Sequence, residues 1–535
     1  MQKDKDKMLF LQADKFKIAL IFYVIIGICL AICIRLFFIY FTGGGKAGNV
    51  ADDVNGYKYP IVTADSSFVA ITLKSKDLYI DPSIVVDKKQ TIALLKNEFA
   101  ELDEADFAKK LERKNWILVK RNVSNEALDR LIKNGLVGIR LDESYKRSYP
   151  DGNLFAHVVG YSNLAGRGSA GLEKYYDNNL REQQIEITVD KRVQTVLHEE
   201  LAQGVKTFEA TGAFGVIMEV QTGEVVAMVS LPDFDPNNSI NPSDPQMQNK
   251  VTAAIYNLGS VFKFFTLAYA LENGVEPERK FYVAGGLRVE SGKVITDVHN
   301  DQAYLTLNEV FYKSSNVGSG LIALMFGKEN YIKFLELLGV FAKPQINLPE
   351  GEIARPIFNK KDLSMSRIVT TSFGYGVSMS PLQFIAIANA IVNNGIFVNP
   401  TLIKNGNKGF VGKRVVLEST SKTATEIANK VVTEGTARRA NIKGYKICGK
   451  TGTSNKFDMS TKSWSEKKKF VSFFAVFPCS QPKYVMYVGM DEPQPTKASG
   501  IYGYRDLYGG TVTAPIAAKV ISVISPLLNL KADNV

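Results

Sequence analysis

A serine and a lysine one helical turn apart are the first residues whose types and spacing suggest chemistry. Ser260 and Lys263 lie in a run that is apolar nearly all round as far as Leu271, which predicts a buried helix. Their three-residue spacing places the two side chains on one face, where they can touch. Burial lowers the pKa of a lysine amine, because desolvation disfavours its charged form. A neutral amine beside a serine hydroxyl is a general base beside a nucleophile.

The same spacing also occurs where no chemistry is expected. The pairs Ser419–Lys422, Ser465–Lys468 and Ser480–Lys483 share it, but they lie in polar stretches. The apolar context of Ser260 separates its pair from these three. Two incidental polar groups in a helix remain the alternative interpretation.

Two further short motifs follow along the chain. Ser314 and Asn316 form a Ser-x-Asn triplet, which alone is as typical of a helix cap as of a catalytic site. The run Lys450-Thr451-Gly452-Thr453 lies in a strand-like stretch, and its Lys-Thr-Gly triplet occurs once in the chain. A glycine within a strand permits close approach of another backbone or of a ligand.

Residues 444–451 also match the phosphate-binding P-loop pattern letter for letter. A P-loop needs an apolar strand before its first glycine, and here the preceding residues 438–443 are mostly polar. It also needs a helix after its lysine, where this chain has Gly452 and polar residues. An ATPase is therefore disfavoured.

Length and composition bound the class of protein. The 535 residues allow roughly three or four domains, and 45% hydrophobic with 22% charged residues excludes a disordered or collagen-like chain. The net charge of +11 suits an anionic membrane face or an acidic polymer as well as nucleic acid. With three histidines, a histidine-rich metal site is not expected.

The N-terminal segment predicts a membrane anchor. Residues 18–41 are apolar apart from Arg35, and as a helix they extend roughly 36 Å, enough to cross a ~30 Å hydrocarbon layer. Residues 1–17 hold five Lys and three Asp, which predicts a cytoplasmic tail with the rest of the chain outside. A cleaved signal peptide fits less well, because no small-x-small cleavage site follows.

Two regions of different character follow the apolar segment. Residues 42–184 are mixed and polar, whereas residues 185–535 read as an α/β or α+β catalytic domain in which strands, then helices, then strands follow one another. The elements predicted for the second region are a strand over 185–189, a β-hairpin over 213–220 and 224–230, a helix over 260–272, strands over 470–477 and 483–490, and a helix over 513–530.

Taken in order, the three motifs resemble the signature of penicillin-binding proteins and serine β-lactamases. Other stretches resemble class B penicillin-binding proteins, and those after the Ser-x-Asn triplet are closer to the septal, FtsI-like branch than to the elongation branch. These stretches are 149–152, His157, Gly160, 171–173, 215–237, 371–376 and 380–383. No glycosyltransferase-like region precedes them, so class A is not expected.

This resemblance implies a fold. It is the penicillin-binding, serine-transpeptidase fold, in which helices flank an antiparallel sheet. The implied organisation is a cytoplasmic tail over 1–17, one transmembrane helix over 18–41, a pedestal of the dimerisation type over 42–184, and the transpeptidase domain over 185–535. Two departures are Asn257-Leu258 before the glycine of the first motif, and a degraded pedestal motif over 59–67.

The resemblance also implies roles. The reaction is acyl transfer on peptidoglycan stem peptides that end in D-Ala-D-Ala, with Ser260 as nucleophile and Lys263 as general base. Lys450 would help to keep Lys263 neutral, and Ser314 would pass a proton to the leaving amine. The implied substrate-binding residues are Asn316, Lys450, Thr451, Gly452 and Thr453. The backbone N–H groups of Ser260 and Thr453 would form the oxyanion hole, and no metal or cofactor is needed.

The implied location is the inner membrane, single-pass, with the catalytic domain outside the cytoplasm. Expected partners are stem peptides, β-lactams as covalent inhibitors of Ser260, an FtsW-type glycosyltransferase and other division proteins, and the membrane, but no nucleic acid. Alternatives are an elongation-type transpeptidase, a D,D-carboxypeptidase or β-lactamase, and a non-enzymatic division scaffold.

Two cysteines lie close to predicted strands. If the strands that hold Cys448 and Cys479 pair in a hairpin with these residues opposite, Thr453 pairs with Phe474. Outside the cytoplasm such a pair can oxidise to a disulfide, and two small packed residues are the alternative. Cys29 and Cys33, in the predicted membrane helix, are expected to be apolar filler.

Overall fold

The computed structural model describes residues 22–23, 25–33, 57–238, 240–297, 302–343, 345–349, 356–358, 364–404 and 412–533. Contacts divide the chain into two units, Met1–Gly56 and Tyr57–Val535.

In the first unit the described residues, 22–23 and 25–33, are helical. The predicted tail over 1–17 and both ends of the predicted membrane helix over 18–41 lie outside the described residues. Within the described part of the chain, no helix combines the length and the apolar content that crossing a membrane requires.

The second unit begins with a mixed region. Its strands are β1 Ile61–Val62, β2 Phe68–Ile80, β3 Ile117–Val123, β4 Ile139–Ser148, β5 Tyr161–Ser162, β6 Gly168–Ala170 and β7 Ile185–Glu186. Its helices are α1 Lys88–Glu98, α2 Glu104–Lys110, α3 Asn125–Lys133, α4 Ala156–Val159 and α5 Gly171–Tyr175. Helices α1, α2 and α3 each start after a residue whose side chain accepts a backbone N–H of the first turn, namely Asp87, Asp103 and Ser124.

Strand β2 organises this region. It pairs with β1, β3 and β4, and β4 lies antiparallel to it from Ile71 to Ile80. Leu78 and Ile80 of β2 pack with Leu95, Phe107 and other apolar residues of the helices into a small core. Residues 139–148 had no predicted strand, because their charged side chains hide the apolar alternation that marks one. The strand predicted over 185–189 is shorter, ending at Glu186.

The rest of the second unit holds the remaining elements. Its strands are β8 Gly212–Glu219, β9 Val225–Leu231, β10 Tyr256–Asn257, β11 Lys280–Tyr282, β12 Leu287–Arg288, β13 Val294–Ile295, β14 Tyr304–Thr306, β15 Ser378–Met379, β16 Ile396–Phe397, β17 Lys413–Arg414, β18 Cys448–Asp458, β19 Ser463–Phe477 and β20 Tyr484–Asp491. Its helices are α6 Lys191–Phe208, α7 Lys263–Glu272, α8 Leu307–Tyr312, α9 Asn316–Met325, α10 Lys328–Leu337, α11 Met365–Ser372, α12 Pro381–Val392, α13 Glu418–Thr433 and α14 Thr513–Leu527.

A five-stranded antiparallel sheet in the order β18-β19-β20-β8-β9 forms its centre. Two adjacent residues of β8 show that helices cover both faces of this sheet. A Cβ on Gly215 would lie 2.8 Å from Leu197 and Leu201 of α6, whereas the Phe214 ring contacts Tyr487, which in turn contacts Phe384 of α12. The predicted antiparallel sheet flanked by helices is therefore confirmed.

The two cysteines near the sheet are joined, although the predicted register is wrong. Cys448 faces Val476 and Thr453 faces Val471, a shift of three residues from the predicted pairing. Cys479 lies beyond the end of β19, where its N–H donates to the Lys446 carbonyl at 2.8 Å. The chain thus curls back beside the start of β18, and the Cys448–Cys479 disulfide forms with the Cα atoms 5.3 Å apart.

We predict that this disulfide stabilises the sheet edge. The cysteines are 31 residues apart, and a cross-link that closes a loop of that length contributes about 3–4 kcal/mol by restricting the unfolded chain. Cys479→Ser should lower the free energy of unfolding by that amount in denaturant titrations, whereas Cys29→Ser should not. Alkylation of both Cys448 and Cys479 without prior reduction, detected by mass, would contradict the pairing.

Candidate active site

The turn that carries Ser260 needs a glycine before it. Gly259 has φ +60°, a conformation that side chains disfavour, and its N–H donates to the Gly374 carbonyl at 3.3 Å. A Cβ at Gly259 would lie 2.4 Å from the carbonyl oxygen of Thr453 in β18. The missing side chain therefore lets β18 approach the turn that holds Ser260.

The helix predicted over 260–272 begins with a 3-10 turn, which is wound more tightly than an α-helix. Residues Gly259–Phe262 make a 3-10 turn, and α7 proper starts at Lys263. All residues from Val261 to Ala270 are buried, so the turn and the helix enter the core together. Ser260 itself is half-buried and stays at the surface of the site.

Four acceptor atoms lie within hydrogen-bonding distance of the Lys263 amine. Its Nζ lies 3.1 Å from Ser260 Oγ, 2.6 Å from the Ser314 carbonyl oxygen, 3.1 Å from Ser314 Oγ and 2.8 Å from Asn316 Oδ1. The lysine side chain is only 1% exposed. The structure therefore brings the first two motifs together around a buried amine.

Ser314 joins the third motif to the other two. Its Oγ accepts from Lys263 Nζ at 3.1 Å and from Lys450 Nζ at 3.0 Å, so it lies between two amines. Its φ of +65° is unusual for a serine and turns the chain sharply between α8 and α9. The cap of α9 is its neighbour Ser315, whose Oγ accepts the Gly318 N–H, so the Ser314 hydroxyl remains available to the lysines.

Burial sets the charge of the two lysines. The pKa of Lys263 is lowered well below its ordinary value, first by burial and then by the nearby positive charge of Lys450, while the carboxylate of Asp297 opposes this shift. Burial also lowers the pKa of Lys450 to about 7. A neutral amine can therefore take a proton from Ser260 Oγ, and Lys450 changes its charge near neutral pH.

The free edge of β18 carries further groups of the site. This strand ends the sheet, and the N–H of Asn455 donates outward to the Tyr375 hydroxyl at 3.2 Å. Because outward and inward backbone groups alternate along an antiparallel strand, those of Thr453 and Thr451 also face the free edge. The Thr451 hydroxyl bonds that of Thr436 at 2.6 Å.

Gly452 of β18 allows close packing against the neighbouring strand and against the turn before Ser260. A Cβ there would lie 2.4 Å from Ser472 Oγ and 2.9 Å from the carbonyl oxygen of Leu258. The hydroxyl of Thr453 accepts the Gly509 N–H at 3.2 Å. All eight residues predicted for the site thus lie around one place, where the α7 turn, the α8–α9 turn and β18 meet.

Comparisons with known proteins match both parts of the chain. The model of the penicillin-binding protein transpeptidase domain matches residues 213–522, and that of the penicillin-binding protein dimerisation domain matches residues 60–206. A probable peptidoglycan D,D-transpeptidase FtsI of Caulobacter vibrioides is 32% identical over 506 residues, covering 92% of this chain and 85% of the relative. The chain belongs to the penicillin-binding protein family.

Two further relatives agree. The peptidoglycan D,D-transpeptidase FtsI of Escherichia coli is 29% identical over 447 residues, covering 78% of this chain and 73% of the relative. Penicillin-binding protein 3 of Mycobacterium tuberculosis, complexed with aztreonam, shares the fold with a TM-score of 0.69 at 22% identity, covering 89% of this chain and 97% of that one. The predicted resemblance to FtsI-like class B penicillin-binding proteins is confirmed.

The P-loop alternative fails in this penicillin-binding protein. Residues after Lys450 continue as β18, whereas a P-loop lysine must begin a helix.

Among the described residues, no cluster of three or more His, Cys, Asp or Glu could hold a metal ion.

Asp297 is a residue of the site that no sequence pattern identified. Its carboxylate accepts from Ser315 Oγ at 2.6 Å, from the Asn316 N–H at 2.6 Å and from the Val317 N–H at 3.0 Å. Asp297 lies outside every motif, and only the fold places it at the start of α9. It holds the Ser-x-Asn turn against the two lysines.

We predict that Asp297→Asn slows acylation by a labelled penicillin about 10- to 100-fold. The neutral amide loses charge-assisted hydrogen bonds worth about 1.5–3 kcal/mol. Asp77→Asn is a matched control, because Asp77 also accepts three hydrogen bonds, from Arg121, Asn122 and Ser144 in the N-terminal sheet. Equal effects of the two substitutions on the acylation rate would contradict a role for Asp297 in the site.

We predict a pH dependence from Lys450. Its pKa of about 7 means that it is charged below pH 7 and loses its charge as the pH rises. The second-order rate of acylation by a carboxylate-bearing penicillin should fall above pH 7, because a neutral Lys450 attracts the carboxylate less.

Lys450→Arg is the control for this pH profile, because arginine remains charged. The descending limb should disappear in this variant. A wild-type rate that stays level from pH 6 to pH 9 would contradict this effect of the Lys450 charge on acylation.

Proposed function

We propose that this chain is a membrane-anchored peptidoglycan D,D-transpeptidase that cross-links stem peptides at the division septum, with Ser260 as its nucleophile. The observation that carries the mechanism is the 3.1 Å distance between Ser260 Oγ and the amine of buried Lys263. The enzymatic class follows from the family, whose members are serine acyltransferases. The septal assignment is supported by the FtsI names of the relatives.

The first half-reaction forms an acyl-enzyme. Ser260 Oγ attacks the carbonyl carbon of the penultimate D-Ala, and the Oγ proton passes to the neutral amine of Lys263. The bond to the terminal D-Ala then breaks, and its amine leaves with a proton delivered through the Ser314 hydroxyl. The backbone N–H groups of Ser260 and Thr453 stabilise the oxyanion, at roughly 2.7–4 kcal/mol for each donor.

The second half-reaction transfers the acyl group. An amine of a neighbouring stem peptide attacks the ester carbonyl, loses its proton to Lys263, and displaces Ser260 Oγ, which regains a proton. The product is a new amide bond between two stems. Hydrolysis would differ only in that water takes the place of the amine.

Three groups of contacts hold the donor until its terminal D-Ala leaves. Asn316 Oδ1 already accepts from Lys263, and its Nδ2 lies 3.5 Å from the Thr296 carbonyl oxygen, which leaves one N–H of the amide for the substrate backbone. Lys450 supplies positive charge for the terminal carboxylate, together with the hydroxyls of Thr451 and Thr453. Gly452 would act indirectly, by letting Ser472 and the Leu258 carbonyl pack against β18 and so bring the strand close to Ser260. β-Lactams occupy the same contacts and acylate Ser260.

We also propose the domain division and topology that suit this function. A cytoplasmic tail over 1–17 and a transmembrane helix over 18–41 would anchor the chain in the inner membrane. The pedestal over 42–184 would raise the transpeptidase domain over 185–535 outside the cytoplasm. An FtsW-type glycosyltransferase and other division proteins would contact the helix and pedestal, and a midcell signal of a fluorescent fusion in dividing cells would support the septal role.

We predict that Ser260→Ala abolishes covalent labelling by fluorescent penicillin, because no other group forms the acyl ester. Ser419→Ala is the matched control, since Ser419 has the same spacing to a lysine but lies outside the site. With a stem peptide and an acceptor amine, the wild-type chain should release D-Ala and form a cross-linked product. Labelling that persists in Ser260→Ala would refute the nucleophile, and free acid as the sole product would indicate a hydrolase.

A further inference from the structure

The hairpin of β18 and β19 extends beyond the central sheet. Strand β20 pairs with β19 only over Phe470–Phe477, whereas β18 and β19 remain paired as far as Asp458 and Ser463. Residues 455–469 therefore form an arm that projects from the sheet, called here the hairpin arm. It starts two residues beyond Thr453.

The hairpin arm exposes large rings. Phe457 and Trp464 face each other across the arm, with ring centroids 5.7 Å apart, and they are 48% and 50% exposed. Burying rings of this size removes much apolar surface from water, so leaving them half-exposed favours a ligand that covers them.

The rings of the arm continue to the active site. Trp464 contacts the ring of Tyr375 at 5.8 Å, Tyr375 contacts Phe373 at 5.9 Å, and the Phe373 centroid lies 6.0 Å from Lys263 Nζ. We call Tyr375, Trp464 and Phe457 the aromatic ridge. Phe373 connects the ridge to Lys263, and the ridge ends on the exposed arm.

The orientation of the donor along β18 follows from the proposed function. Its terminal carboxylate lies near Lys450, and its reacting carbonyl lies near the N–H of Thr453. The rest of the stem peptide must therefore continue toward Asn455. A peptide that adds to a strand edge needs free backbone groups there, but the Asn455 N–H is already bonded to the Tyr375 hydroxyl at 3.2 Å. The donor must leave the edge at that point and pass over the Tyr375 ring.

We propose that the aromatic ridge binds the segment of the donor stem peptide that immediately precedes its D-Ala pair. The inference rests on the proposed function, and it identifies a surface that distinguishes full stem peptides from short D-Ala-D-Ala donors. Phe457 lies four positions beyond Thr453, about 13 Å along the strand, which matches the length of a few extended peptide residues. The rings supply apolar contact to the side chains of that segment.

Competition with fluorescent penicillin tests this proposal on the full chain in detergent. Three competitors are compared: an N-acyl-D-Ala-D-Ala dipeptide, the full stem peptide, and the stem peptide with its disaccharide. In Trp464→Ala, protection of Ser260 by the full stem peptide should weaken about three- to tenfold, whereas protection by the dipeptide should not change. Adding the disaccharide should change neither value further.

Matched variants distinguish the loss of a contact at the ridge from misfolding of the chain. Trp116→Ala removes another exposed tryptophan, immediately before β3, and should leave all three competitors unaffected. Trp464→Phe should restore part of the protection, because a ring remains. Trp116→Ala should be labelled by penicillin at the wild-type rate, and the circular dichroism spectra of all three variants should match that of the wild-type chain, which shows that they are folded.

Several outcomes would overturn the proposal. Equal weakening for the dipeptide would mean that Trp464 acts through Tyr375 on the reacting groups, and weakening seen only with the disaccharide would make the sugar the occupant. Wild-type protection that is no stronger with the full stem peptide than with the dipeptide would mean that the preceding residues make no contact. A wild-type chain that penicillin does not label would instead refute the proposed function.

Discussion

One buried amine determines how the active site is built. An ammonium group in apolar surroundings is costly, so a lysine that is almost fully buried both loses charge and draws hydrogen-bond acceptors to it. For Lys263 these acceptors are Ser260, Ser314 and Asn316, which come from two separate turns of the chain. Satisfying the amine therefore holds the α7 turn against the α8–α9 turn. The same burial that lowers the pKa of the lysine also fixes the geometry of the groups around it.

The third part of the site is β18. It approaches these turns closely because the residues at the backbone contacts are glycines, which have no side chain. A Cβ at Gly259 would strike the Thr453 carbonyl, and one at Gly374 would lie 2.1 Å from the Gly259 carbonyl oxygen. These contacts stack three backbone segments directly on one another. The same approach leaves the Thr453 nitrogen 3.3 Å from the Cβ position of Gly259, the residue before Ser260, as the proposed oxyanion hole requires. The disulfide at Cys448 holds the start of the same strand.

Patterns along the chain identified some features well and missed others for physical reasons. The buried helix after Ser260 and the hairpin of β8 and β9 follow from apolar runs and a glycine turn, which are local signals. Strand β4 was missed, because its charged residues leave no apolar alternation. The hairpin register at Cys448 was wrong by three residues, since pairing depends on where the turn falls and on side chains packed across strands.

The amino-acid sequence by itself determined the three motifs, their order, the family they resemble and the chemistry open to Ser260, because residue type and local spacing carry that information. Only the tertiary structure decided that the motifs meet, since Ser314 and Asn316, which touch Lys263, lie about fifty positions away from it along the chain. It also revealed Asp297, which has no motif, and the row of rings that leads from Phe373 to the hairpin arm. Contacts between distant segments arise from packing of the whole core, which no local pattern encodes.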